Sequence, residues 1–124
     1  LLPKPVRLMS LGQRMRAEIA AALVHKPRIL YLDEPTIGLD VIGKQRIRQM
    51  IRSANAASGT TVLLTTHDLT DIEDLCSRVI MIDGGRLVYD GGLPELLSSL
   101  GATGQSQLNR IVTCLQELLC RVVP

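Results

Sequence analysis

The sequence predicts an α/β fold: a mainly parallel sheet flanked by helices, then a β-hairpin and a C-terminal amphipathic helix. Three observations carry that prediction. Two short apolar runs, "ILYL" at 29–32 and "TVLL" at 61–64, end abruptly in polar residues, as strands buried on both faces do. Segments with helical spacing of apolar residues lie before and between them. Finally, "VIMID" and "RLVYD" flank Gly84 and Gly85, the pattern of a hairpin with a two-residue turn.

The elements follow in order. Ser10 and Gln13 form an S-x-x-Q capping box, so a helix should start near Leu11. Met15, Ile19, Ala22 and Leu23 form its buried stripe. His25 and Lys26 suit its negative end, and Pro27 stops it. The strand from Ile29 to Leu32 runs into Asp33, Glu34 and Pro35, and "TIGLD" is a loop.

Val41 to Ser58 reads as a helix with Ile47, Met50, Ile51 and Ala54 inward, closed by Gly59. Lys44, Arg48 and Arg52 share one face of it, which reads as a plain solvated stripe. After the second strand, Thr70 and Glu73 suggest another capping box, for a short helix through Cys76. The hairpin follows, and Pro94 opens a short helix, "PELLSSL".

"GATGQSQ" has linker composition. Leu108, Ile111, Val112, Leu115, Leu118, Leu119 and Val122 then share one helical face. That face would pack on the body or on a partner; two arginines are too few to favour a membrane surface. The organisation expected is one body over 1–100 and a linker with a helical tail over 101–124.

Composition narrows the function. A chain of 124 residues, 46% of them hydrophobic, has room for one small domain with a modest core. Fourteen basic and twelve acidic residues give a net charge of +2, and aromatics are limited to two Tyr. Neither a basic footprint nor stacking platforms point to nucleic acid, so none is expected as a partner. Three cysteines without a C-x-x-C pair suggest neither a disulfide framework nor a zinc site, and fit a reducing compartment. No apolar run approaches the roughly 18 residues of a membrane span, and the N-terminus does not read as a signal peptide. The first residue is Leu, which suggests an unusual start codon or a segment upstream.

The candidate chemistry sits at the two strand tips. Ligands of open α/β sheets bind beyond the carboxyl ends of the strands, and adjacent strands would bring Glu34 and His67 to one edge. Desolvating carboxylates is costly without a cation or hydrogen bonds. Asp33 beside Mg²⁺ and Glu34 beside a water would meet that need. The helix beginning after Ser10 is of the kind that holds anions.

The order of these pieces resembles the ATP-binding cassette (ABC) ATPases, the nucleotide-binding subunits of ABC transporters. "MSLGQ" (9–13) is similar to their signature motif, L-S-G-G-Q. "ILYLDEP" (29–35) is similar to Walker B with its adjacent glutamate, "GLD" (38–40) to the D-loop, and "TTHD" (65–68) to the switch-histidine loop. "VIMIDGGRLVYDG" resembles the strand pair that ends these domains. The resemblance spans about residues 6–100, and "DEPTIGLD" and "THDLTDIEDLCSRV" lean towards exporter-type members with separate membrane subunits.

The resemblance implies ATP and Mg²⁺ as cofactors. Ser10, Leu11, Gly12 and Gln13 would bind the γ-phosphate of ATP. Asp33 would hold Mg²⁺ through water, Glu34 would act as general base, and His67 would contact the γ-phosphate. Asp40 would sit at the seam with a second ABC ATPase subunit. Transmembrane permease subunits would be further partners, placing the protein peripherally on the cytoplasmic face of the membrane.

Leu11 replaces the first glycine of the signature, while the second is kept as Gly12. No G-x-x-x-x-G-K-S/T occurs in the sequence, so the family's P-loop, with its phosphate-binding lysine and Mg²⁺-binding hydroxyl, is absent from it. The chain therefore resembles the C-terminal half of the cassette, a partial P-loop NTPase fold, and is expected to be inactive in isolation. Two alternatives stand beside a transport ATPase: a non-catalytic remnant lending its signature half to an intact partner, and a non-transport ABC ATPase of the translation-factor or DNA-repair kind.

Overall fold

The computed structural model describes residues 5–99 and 117–122. A 3₁₀ turn at Val6–Leu8 precedes α1 (Leu11–Leu23), β1 (Ile29–Asp33), α2 (Val41–Ser58), β2 (Thr61–Thr65) and α3 (Leu69–Leu75). Then come β3 (Arg78–Asp83), β4 (Arg86–Gly92), α4 (Leu93–Ser99) and β5 (Glu117–Val122). The α/β class is as expected, and so are the starts of α1 and α2. Gly59 ends α2 in the left-handed conformation, φ 62°. Gly84 and Gly85, φ 53° and 73°, turn the hairpin.

The sheet order is β1-β2-β5-β3-β4. β1 and β2 are parallel, with Leu32 opposite Leu64 and Asp33 opposite Thr65. β5 runs antiparallel to both β2 and β3, so those two strands share a direction. β4 returns antiparallel on β3. The mainly parallel sheet is thus mixed in its pairing: β1, β2 and β3 run one way, but β5 separates β2 from β3.

Ile19 of α1, Ile47 and Ile51 of α2, Val62 and Leu64 of β2, Ile72 of α3 and Val79 of β3 are almost or fully buried together. Alternate burial along β2 puts Val62 and Leu64 into this core.

Four expectations need correction. β1 is not buried on both faces: it is an edge strand, and Tyr31 is 71% exposed while Leu30 is buried. Residues 117–122, assigned to an amphipathic helix, form β5. Their run of apolar residues suits a strand as readily as a helix, and the facing edges of β2 and β3 offer backbone partners on both sides. The remainder of the proposed linker and tail helix, 101–116 and 123–124, lies outside the described residues. α3 is capped by Asp68 rather than Thr70, two residues earlier, because the Asp68 carboxylate accepts from the Thr70 N–H. Lastly, Cys76 is disulfide-bonded, against the expectation of unpaired thiols. An odd count without C-x-x-C spacing does not reveal which thiols a fold brings together.

Candidate functional site

All the sequence-selected residues except Asp33 line one of two clefts. The first opens at the carboxyl ends of β1 and β2. Their register sets Asp33 beside Thr65, and Thr65 Oγ1 donates to Asp33 Oδ1 at 2.6 Å. The Glu34 N–H donates to both the carbonyl and the hydroxyl oxygen of Thr65, at 3.2 and 3.0 Å. These bonds hold Glu34 at φ 45°, a left-handed conformation that costs a non-glycine residue on the order of 1–3 kcal/mol. Pro35 and Thr36 then form a turn closed by Ile37 N–H on Glu34 O, 3.1 Å. Glu34 Oε1 lies 3.2 Å from His67 Nε2, as the two strand tips led one to expect.

Lys44 and Asp68 line the same cleft. Lys44 Nζ is 2.5 Å from Asp68 Oδ2. Partial burial pushes the Asp68 carboxyl up. The hydrogen bonds from Lys44 and the Thr70 N–H, with the Lys44 and Arg48 charges, outweigh it and hold the group below its ordinary value. The basic stripe on α2 is therefore not plainly solvated. Arg48 is only 6% exposed and pairs with Asp71 at 2.6 Å, and Arg52 reaches Asp74 at 3.4 Å. The α3 cap and helix carry acids at 68, 71 and 74, a spacing of three that complements the spacing of four at 44, 48 and 52.

The second cleft is walled by the start of α1 and the start of α2: Ser10, Leu11, Gly12 and Gln13 face Leu39, Asp40 and Gly43. The capping box is complete. Gln13 N–H donates to Ser10 Oγ at 3.2 Å, and Ser10 N–H to Gln13 Oε1 at 3.1 Å. Helix geometry leaves the Leu11 and Gly12 N–H groups without intrahelical acceptors. A Cβ on Gly12 would meet only Leu39 Cδ2, at an ordinary 3.5 Å, so packing within this chain does not demand glycine there. Asp40 Oδ1 accepts from Gly43 N–H at 2.7 Å and caps α2. Arg16 and Arg46 complete the lining, and sequence reasoning passed over both. With a helix N-terminus and two guanidiniums, this cleft favours an anion.

The fold thus joins Glu34 to His67, sets Asp33 behind Thr65, and gathers Ser10, Leu11, Gly12, Gln13 and Asp40 separately. Gly38 lines both clefts. No group of three metal-ligating side chains occurs among the described residues. Mg²⁺ is commonly held by one or two carboxylates together with substrate phosphates, so Asp33 fits as one ligand of a phosphate-bound ion. No helix among the described residues is long and apolar enough to cross a membrane.

Helices packed on parallel strands, with the candidate residues at the strand tips, fit part of a P-loop NTPase fold, the class to which similar proteins also point. The ABC transporter family profile matches residues 1–37. The daunorubicin resistance ATP-binding protein DrrA3 of Streptomyces coeruleorubidus is 42% identical over 98 residues, 79% of this chain and 31% of that protein. The uncharacterized ABC transporter ATP-binding protein YdbJ of Bacillus subtilis is 48% identical over 82 residues, 66% of this chain and 27% of its own length. The molybdenum import ATP-binding protein ModC of Mycobacterium tuberculosis (strain H37Rv) is 43% identical over 93 residues, 75% and 25% respectively. The chain belongs to the ABC ATPase family. It spans less than a third of the length of each of these three relatives.

Proposed function

We propose that the chain is part of an ATP-hydrolysing subunit of an ABC transporter, working with a second ATPase subunit and with transmembrane permease subunits at the cytoplasmic face of a membrane. The observation that carries this reading is the division of the site: the Glu34–His67 pair and the anion-favouring end of α1 occupy different clefts. That division suits a dimer in which each nucleotide lies between two subunits. Gly12 is compatible with it, because the lack of a Cβ there would let a phosphate come close to the backbone.

In this reading Ser10, Leu11, Gly12 and Gln13 hold the γ-phosphate of ATP bound by the partner subunit, and Asp40 lies at the seam. At the other cleft, Glu34 takes a proton from the water that attacks the γ-phosphorus. The new P–O bond forms as the bond to the β-phosphate oxygen breaks, and ADP leaves. His67 orients that water and the γ-phosphate. Asp33 would hold Mg²⁺, whose contribution is to neutralise charge on the phosphates.

Export is the direction we favour, on the exporter-like wording of "DEPTIGLD" and "THDLTDIEDLCSRV". Relatives named for resistance, export and import all match, so cargo uptake and efflux in vesicles containing the permease decide direction.

The second reading is a chain that lends only its α1 cleft to an intact partner; it is supported by that cleft's being lined wholly by residues of this chain. One experiment addresses both. The purified chain is titrated into an intact cassette subunit with ATP, and dimerisation and phosphate release are followed. ATP-dependent pairing that Ser10→Arg abolishes supports the α1 cleft, which both readings use; turnover that Glu34→Gln abolishes, in a subunit that also carries a P-loop, selects the first reading. No pairing at any ratio removes the second reading.

A further inference from the structure

Asp71 lines neither cleft and has no exposed surface. Three buried side chains nevertheless converge on its carboxylate. Arg48 Nε donates to Oδ1 at 2.6 Å. Thr36 Oγ1 and Thr66 Oγ1 both donate to Oδ2, the latter at 3.1 Å. Thr36 and Thr66 are 1% and 0% exposed.

The two threonines belong to different loops. Thr36 stands two residues after Glu34, inside the turn that Glu34 begins. Thr66 stands immediately before His67. The Thr66 hydroxyl oxygen also accepts from the Asp68 N–H at 3.0 Å, so its single proton is free for Asp71. One carboxylate oxygen therefore ties together the two loops whose side chains meet at Glu34 and His67. Upstream, Thr65 fixes the same pair of strands through Asp33.

Charge balance alone does not require this arrangement. Arg48 already neutralises Asp71, and a buried ion pair is satisfied by any hydrogen-bond donors that reach it. The donors here come from the two loops that carry the candidate working groups. Charge-assisted bonds of this kind are short and directional, which suits them to fixing geometry.

We propose that Asp71 is a positioning residue: through Thr36 and Thr66 it sets the Glu34–His67 contact. The inference rests on reading Glu34 and His67 as the working pair, but its test reads geometry and needs no turnover. The full chain is labelled with ¹⁵N, and the His67 ring nitrogens are followed at one fixed pH, with His25→Gln removing the second imidazole. The change in the His67 Nε2 resonance on Glu34→Gln measures their contact.

Thr36→Val with Thr66→Val removes both donors to Oδ2 and leaves the Arg48–Asp71 pair. In that background the His67 response to Glu34→Gln should fall several-fold, and Thr36→Ser with Thr66→Ser should restore it. Thr66→Val alone serves if the double variant does not fold. A response that persists in the valine background overturns the proposal, even if the melting temperature drops. A parent chain whose His67 ignores Glu34→Gln overturns the pair, and with it the proposal. Normal pairing behaviour without ATP turnover would count against the catalytic reading while leaving this geometric result intact.

Discussion

His67 Nε2 lies 3.2 Å from Glu34 Oε1, a contact between loops that follow two neighbouring parallel strands. Thirty-three positions separate the two residues in the chain, yet the register of β1 on β2 delivers both to one edge. The contact gives Glu34 a defined direction at a point where its own backbone is left-handed.

The first prediction concerns that carboxylate. In an assembly that supplies the P-loop, Glu34→Gln should reduce ATP turnover by about 10²–10⁴-fold, the usual contribution of a general base. ATP-dependent dimerisation should survive, because glutamine keeps the shape. Phosphate release and gel filtration with ATP measure the two effects; unchanged turnover would take Glu34 out of its role.

Arg48 anchors the second. Arg48→Ala leaves the Asp71 carboxylate buried without its cation, and should cost about 3–5 kcal/mol. Arg48→Met combined with Asp71→Leu removes both charges and should cost clearly less. Urea denaturation of the three chains gives the comparison. Equal losses would mean that the guanidinium stem, rather than its charge, supports the helix contact.

The third follows from Asp68, whose folded carboxyl titrates below its unfolded value of 3.8. A depressed carboxyl stabilises the fold above the unfolded value, and that contribution is lost as pH falls through the lower folded one. The stability advantage of the parent over Lys44→Met should therefore be constant near neutrality and shrink below about pH 4. Thermal melts across pH test the sign. An advantage that grows on acidification would contradict it.

The fourth tests the α1 and α2 caps. Ser10→Ala removes the acceptor for the Gln13 N–H and should cost about 1 kcal/mol. Gly43→Ala should displace the Asp40 carboxylate, since its Cβ would stand 2.6 Å from Oδ1. Calorimetry of both variants should show lowered melting temperatures. A Gly43→Ala chain as stable as the parent would show that Asp40 can cap α2 from another position.

Local signals were the readable ones. Ser10 and Gln13 announce their own capping box, and Gly84–Gly85 announce their own turn, because the partners lie within a few residues. The meeting of Glu34 and His67 was legible because strand direction alone puts both tips at one edge. Arg48 was misread for the opposite reason. Whether a cation is solvated depends on what packs over it, and Asp71 is 23 residues away on another helix. Thr36 and Thr66 escaped notice likewise, since a threonine in a loop carries no mark of the carboxylate it will serve. The exposure of Tyr31 reflects what packs over that face of the sheet, which local hydrophobicity does not encode.

β5 is the only strand among the described residues that links β1–β2 to β3–β4. It is also the last described element to be translated, more than fifty residues after its neighbour β2. A nascent chain therefore carries two separate ribbons, each with an unpaired edge, until positions 117–122 have been added. Sheet closure must wait for a long-range pairing, the slow kind of folding event. The interval before it is when a growing chain is most open to capture by a chaperone or to sticking to its neighbours.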